Sequence, residues 1–169
     1  DPEFYQWLKQ TPGDVRVQMV ADCTVAPDGV TDYHTGYYAL KYPGNAGASV
    51  PAYANNIKVI RLSEVYLIAA EAALQRGEEA VGYINELRSN RIYGYAEVSE
   101  VTLEDILDER RKELFAEGQI AFDFWRNGKD VVNSFGTIKP TDNKTVLPLP
   151  KEELDLAKGK LVQNPGYGK

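Results

Sequence analysis

Cysteine, histidine and methionine each occur once in this 169-residue sequence, and each scarcity closes off a class of chemistry. A lone Cys23 forbids an internal disulfide and leaves the redox compartment open. A lone His34 has no companions at ligand spacing, so no metal site is expected and the residue reads as surface loop. Glycine-rich phosphate loops, serine elbows and Cys–His pairs are missing, and no cofactor is expected. Apolar runs stay short of the roughly 20 residues that a membrane-spanning helix needs. Basic clusters are absent too. With a net charge of -6 and acids scattered along the chain, nucleic acid is excluded as a partner. The chain opens Asp1-Pro2-Glu3, without a methionine or a basic-then-apolar leader, which reads as a processed or trimmed fragment.

What is present is ordinary globular material, 43% apolar and 26% charged, and long enough for a single domain or fragment over 1–169 with its own core. Residues 3–9 read as a helix end, broken by Pro12-Gly13. Val15, Val17 and Met19 alternate with Arg16 and Gln18, which predicts a short strand. Tyr37 to Tyr42 predicts a second strand, and Asn45 to Tyr53 a small-residue loop. From 57 to 128 the chain is helical. Arg61–Arg76 is rich in alanine and ends at Gly77, a C-cap glycine. Glu78–Arg91 carries Ala80, Ile84 and Leu87 on one stripe, and the two helices about Gly77 resemble a tetratricopeptide hairpin. Thr102-Leu-Glu-Asp105 opens the next helix with a capping-box pattern. Ile120–Arg126 is a further short helix. Leu147-Pro-Leu-Pro150 must be extended, Lys151–Leu156 is a short helix, and Gln163-Asn-Pro-Gly-Tyr167 is a turn. The fold class is mainly α, with helical hairpins, short strands and extended loops.

Charges fall on apolar faces. Wound at about 100° per residue, 102–126 places Leu103, Leu107, Leu114, Ala121 and Trp125 on one stripe, with Arg110 and Glu117 inside it. The Arg61–Arg76 helix is apolar nearly all round, a pattern that predicts burial, yet Glu64 and Glu71 share a face of it. Single buried charges cost several kcal/mol each unless paired. Pairing is therefore expected between the arginines Arg88, Arg91, Arg110 and Arg111 and the acids Glu64, Glu71, Glu109, Glu113 and Glu117. Asp123 and Arg126, three apart, are expected to pair locally.

Several stretches together resemble the SusD/RagB family: Ile60-Arg-Leu-Ser-Glu-Val-Tyr-Leu-Ile-Ala-Ala-Glu-Ala72, Ile84-Asn-Glu-Leu-Arg88 with Arg91, Ile106-Leu-Asp-Glu-Arg-Arg-Lys-Glu-Leu-Phe-Ala-Glu-Gly118, Asp123-Phe-Trp-Arg126, Leu147-Pro-Leu-Pro150 and Gln163-Asn-Pro-Gly-Tyr167. The resemblance covers 57–169 and departs from the pattern at Asp155 to Lys160. It implies the C-terminal portion of a larger SusD-like fold, whose N-terminal half holds tetratricopeptide-like helices and a lipid anchor absent from this chain. It further implies a non-catalytic, outer-membrane, surface-facing lipoprotein. Such a protein takes up oligosaccharides or other nutrients and passes them to a SusC-type TonB-dependent transporter. Cys23 does not match the acylated cysteine.

Sugars offer apolar CH faces to aromatic rings and hydroxyls to polar side chains. The loop segments Asp32-Tyr-His-Thr-Gly-Tyr-Tyr38 and Tyr53-Ala-Asn-Asn56 have that composition, and loops on a rigid scaffold are common binding sites. The candidate ligand contacts are Trp7, Tyr33, His34, Tyr37, Tyr38, Tyr53 and Asn55, with Tyr5 beside them. Two rival readings remain: a protein-interaction scaffold built on the hairpins, and a glycosidase using Glu113 and Glu117.

Overall fold

The structure, a computed structural model, describes residues 2–23, 36–41, 59–133 and 136–167. These form two compact units, Asp1–Gly118 and Gln119–Lys169.

The first unit contains helices α1 (Pro2–Lys9), α2 (Leu62–Gln75), α3 (Val81–Ser89) and α4 (Leu103–Glu113), and an antiparallel pair of strands, β1 (Val20–Cys23) and β2 (Gly36–Ala39). In the pair Val20 faces Ala39 and Cys23 faces Gly36. The alternation at 15–19 predicts a strand, but the structure has a 3-10 helix over Val15–Met19. The cause is Asp14: its carboxylate accepts from the Arg16 backbone N–H at 3.0 Å and caps the turn, a local bond that outcompetes extension. The strand begins only at Val20.

α2 and α3 pack across a short turn, and α2 also packs on α4. Gly77, at φ +71, ends α2: its N–H reaches Leu74 O and that of Glu78 reaches Ala73 O, a Schellman closure that only a residue free to adopt positive φ makes cheaply. Leu67, Ala70 and Ala73 meet Ala80, Ile84 and Leu87, and Ile106 and Leu114 complete this core. The expected burial of α2 all round does not hold for the described residues. Leu62, Val65 and Ile68 stay 72%, 46% and 51% exposed, because α3 and α4 cover only the opposite face.

α4 starts with the expected capping box. Thr102 Oγ1 accepts from Asp105 N at 3.2 Å and the Asp105 carboxylate accepts from Thr102 N at 2.8 Å. It ends at Glu113, where Ala116 (φ +63) and Gly118 (φ +81) turn the chain. The stripe wound over 102–126 is interrupted there, and Ala121 and Trp125 lie on the separate short helix expected over Ile120–Arg126.

The second unit holds α5 (Ile120–Arg126), the antiparallel strands β3 (Val131–Asn133) and β4 (Gly136–Ile138), and α6 (Lys151–Leu156). Trp125 Nε1 donates to Ile138 O at 3.3 Å. The two proline-rich motifs hold each other. Gln163 accepts from Leu149 N at 2.8 Å and donates to Leu149 O at 2.9 Å, as a neighbouring strand would. Asn164 donates to Leu147 O and Tyr167 to Val146 O. A side chain at Gly166 would place its Cβ 2.8 Å from that of Asn143, so the Asn-Pro-Gly-Tyr turn needs its glycine.

Candidate functional site

α4 carries Glu109, Arg110 and Glu113 into the interior, between Leu107 and Leu114. Unpaired, each buried charge would cost several kcal/mol; here the two glutamates meet cations from other segments. Arg16, 1% exposed, grips Asp14 with two N–H groups at 2.9 and 2.8 Å and donates to Glu109 Oε1 at 2.7 Å. Arg88 Nε takes the second Glu109 oxygen at 2.7 Å. Glu113 accepts from Arg91 Nε and Nη2, both at 3.0 Å, and from Arg61 Nη1 at 2.9 Å. Arg61 Nη2 also reaches Glu117 Oε1 at 2.8 Å, and Lys41 pairs with the same carboxylate. Such forked, charge-assisted bonds are the strong kind.

The lattice also closes a helix end. Arg61 Nη2 donates to Glu113 O at 2.9 Å and Lys41 Nζ to Phe115 O at 3.1 Å. These carbonyls have no helical partner, and cations suit the negative end of α4. Ala116, in its left-handed turn, brings Glu117 back towards the same two cations.

Burial alone would raise the pKa of Glu113, but hydrogen bonds from Arg91 and Arg61 override it and hold the carboxyl down at about 2. Glu117 is pulled the same way: burial opposes, and Lys41 and Arg61 prevail. Burial would weaken the charge on Arg16, yet Asp14 and Glu109 raise its pKa. A general acid needs the reverse, a carboxyl kept protonated near neutral pH.

Of the expected ion-pair residues, Arg88, Glu113 and Glu117 lie in this lattice, together with Arg91 and Glu109. Asp123 and Arg126 pair at 2.9 Å within α5. Glu71 and Arg110 are buried. Two residues depart from expectation. Glu64 makes no ion pair among the described residues. Arg111 lies over the rings of Phe4 and Trp7, at 5.4 and 5.2 Å, rather than against a carboxylate. Sequence reasoning missed Asp14, Arg16, Lys41 and Arg61 as partners: the first three come from outside the helical run, and Arg61 stands at the very start of α2.

Among the aromatic candidates, Trp7 has Arg111 and the Lys112 ammonium (4.9 Å) on its ring and Phe4 beside it at 5.9 Å. Tyr37 packs on Tyr5 at 5.0 Å, while Tyr38 is 43% exposed. Tyr33, His34, Tyr53 and Asn55 lie outside the described residues.

An aromatic site that composition did not single out follows α3. Asp14 and Ile92 form an isolated antiparallel bridge, Tyr93 N donates to Gly13 O at 2.9 Å and Val15 N to Arg91 O at 2.9 Å. Beside this docked turn is a cavity of about 340 Å³, lined by Thr11, Arg88, Tyr93, Tyr95, Glu109 and Lys112 among others. The signal that could have found it is the Tyr-Gly-Tyr run at 93–95 directly after a helix end. In the second unit a depression of about 360 Å³ is lined by Asn133, Thr137, Asp142, Asn143 and Lys144. Among the described residues no group of His, Cys, Asp and Glu could hold a metal ion, and no helix is long and apolar enough to cross a membrane.

The SusD family profile matches residues 6–167. The starch-binding protein SusD of Bacteroides thetaiotaomicron is 38% identical over 80 residues, which is 47% of this chain and 14% of that protein. A SusD superfamily protein from Bacteroides vulgatus has a similar crystal structure, with a TM-score of 0.80 and 34% identity over 99% of this chain and 39% of that one. Surface glycan-binding protein A from Bacteroides thetaiotaomicron, solved in complex with laminarihexaose, gives a TM-score of 0.77 at 29% identity, covering 97% of this chain and 40% of that one. The chain thus spans about two fifths of these solved relatives.

Proposed function

The chain belongs to the SusD family, and from that premise we propose that it is part of a longer glycan-capture protein that binds oligosaccharides without turning them over. The observation that carries this reading is the state of the acids. Glu113 accepts from three arginines, Arg16, Arg61 and Arg91, and Glu117 from Arg61 and Lys41. Carboxylates held in this way stay ionised and serve as struts between segments, which suits a rigid binding scaffold better than a proton donor. The laminarihexaose complex of a structural relative supports an oligosaccharide as the ligand.

In the whole protein we place this chain at the outer membrane, facing outward through an N-terminal lipid, where it would pass its glycan to a SusC-type TonB-dependent transporter. The test is binding without chemistry. Purified protein is titrated against a panel of neutral and acidic oligosaccharides and assayed for new reducing ends. Affinity for at least one glycan with no product supports the reading; product formation overturns it. Co-purification with a TonB-dependent transporter from native membranes tests the delivery step.

A second reading, a protein-interaction scaffold, is favoured by one feature: the exposed face of Leu62, Val65 and Ile68 on α2. A partner segment laid on that face is compatible with glycan capture elsewhere in the protein.

A further inference from the structure

Tyr93 is 91% exposed, the most open large side chain among the described apolar and aromatic residues. Its backbone is the opposite. It is fixed by the Gly13 carbonyl on one side and by the Asp14–Ile92 bridge on the other, and Tyr95 N closes the turn onto Ile92 O at 3.2 Å. The approach is so close that a Cβ on residue 13 would stand 2.6 Å from Tyr93 O, which makes the glycine necessary. A rigid turn that projects an uncovered ring is the form that stacking platforms take: the ordering cost is already met before a ligand arrives.

The cleft beside the ring is polar and cationic. Arg88 and Lys112 line it against a single carboxylate, Glu109. Both Glu109 oxygens are already engaged, by Arg16 and by Arg88, each at 2.7 Å. Lys112 Nζ donates to Thr11 Oγ1 at 3.0 Å and lies 4.9 Å from the Trp7 ring centre, and an ammonium has three N–H donors. Burial lowers the Lys112 pKa, with Arg16 and Arg88 pushing the same way against Glu109 and Asp14. Tyr95 also lines the cavity, its hydroxyl donating to Asn85 at 2.7 Å. The cavity, at about 340 Å³, is of the size that holds one or two sugar rings.

We propose that this cleft is a saccharide subsite in which Tyr93 stacks on a pyranose face while Lys112 and Arg88 bind an anionic substituent on the same sugar, a carboxylate or a sulfate ester. The inference rests on the glycan-capture reading and specifies a ligand class for it, acidic glycans, at a place formed wholly by segments 11–14, 88–96 and α4.

The probes are an oligogalacturonate, a sulfated galactan oligosaccharide and neutral cellohexaose, titrated into the chain by calorimetry, with ring resonances of Tyr93 followed by NMR. One or both acidic probes should bind, shift the Tyr93 ring and bind more weakly as salt rises, and the two anionic arms show which substituent is preferred. Cellohexaose should bind at least about tenfold more weakly. Tyr93→Ala should weaken the acidic probe by about tenfold or more while leaving the unfolding temperature unchanged, because the ring packs on little. Three results overturn the subsite: acidic binding that leaves the Tyr93 ring unmoved, an unaffected Tyr93→Ala variant, or equal affinity for cellohexaose. If the Tyr93→Ala variant still binds glycans like the parent, the subsite is wrong and the capture reading stands. If no oligosaccharide binds this chain, the subsite falls; if none binds the longer protein either, the capture reading falls with it.

Discussion

Arg16 donates to Glu109 across 2.7 Å, although 93 positions separate them in the chain and each is only 1% exposed. The bond ties the segment after α1 to the middle of α4, and neither charge has water to fall back on. Replacing Arg16 with methionine keeps the volume, takes from Asp14 the cation that grips it and leaves Glu109 with Arg88 alone. The expected cost is about 3–5 kcal/mol, read as a lower urea midpoint. Arg16→Lys should recover only part of that, since an ammonium cannot grip Asp14 and Glu109 with a planar fork.

The same lattice sets an acid limit. Glu113 has an ordinary pKa of 4.5 and is held at about 2 in the fold. A carboxylate whose pKa is lowered by folding stabilises fully above its unfolded value and loses that contribution as pH falls through the folded one. Stability should therefore decline between about pH 4.5 and 2, by roughly 3 kcal/mol from this group. Glu117, lowered by Lys41 and Arg61 against the effect of burial, adds in the same direction. Asp108, raised by burial and by Glu104, works against it. Urea midpoints taken across that window should flatten in Glu113→Gln.

Two small residues in left-handed turns make opposite predictions. Gly13 (φ +82) faces the Tyr93 carbonyl, so Gly13→Ala combines backbone strain with a clash and should cost about 2–4 kcal/mol. Ala116 (φ +63) is exposed and already bears the strain, so Ala116→Gly should raise stability by about 1 kcal/mol. Thermal unfolding of both variants checks the pair.

In the second unit, Gln163 acts as a substitute strand for Leu149. Gln163→Ala should cost about 1–3 kcal/mol and speed amide exchange at Leu149, whose N–H loses its acceptor.

How much of this was legible depends on the range of the forces involved. The helices from 61 to 126 followed from alanine content, the Gly77 closure and the Thr102–Asp105 cap, all set within a few residues. The Asp123–Arg126 pair followed from i,i+3 spacing. Arg61 and Lys41 were not legible as partners of Glu117, since 56 positions separate Arg61 from that acid and no periodicity links them. The alternation at 15–19 misled because the Asp14 side chain competes locally for the Arg16 N–H, which hydropathy does not register. Arg111 misled for a related reason: charge count offered it a carboxylate, and the neighbouring rings of α1 offered it a face. Tyr93 was invisible because its role depends on Gly13, eighty residues earlier in the chain.

The central claim, that the interior acids are charged struts rather than proton donors, is tested most directly at one atom group. The side-chain carboxyl of Glu113, followed by carbon-13 NMR through an acid titration, should change protonation at about pH 2. Titration at or above the ordinary value of 4.5 would mean that the arginines around it do not hold its charge, and would contradict the account.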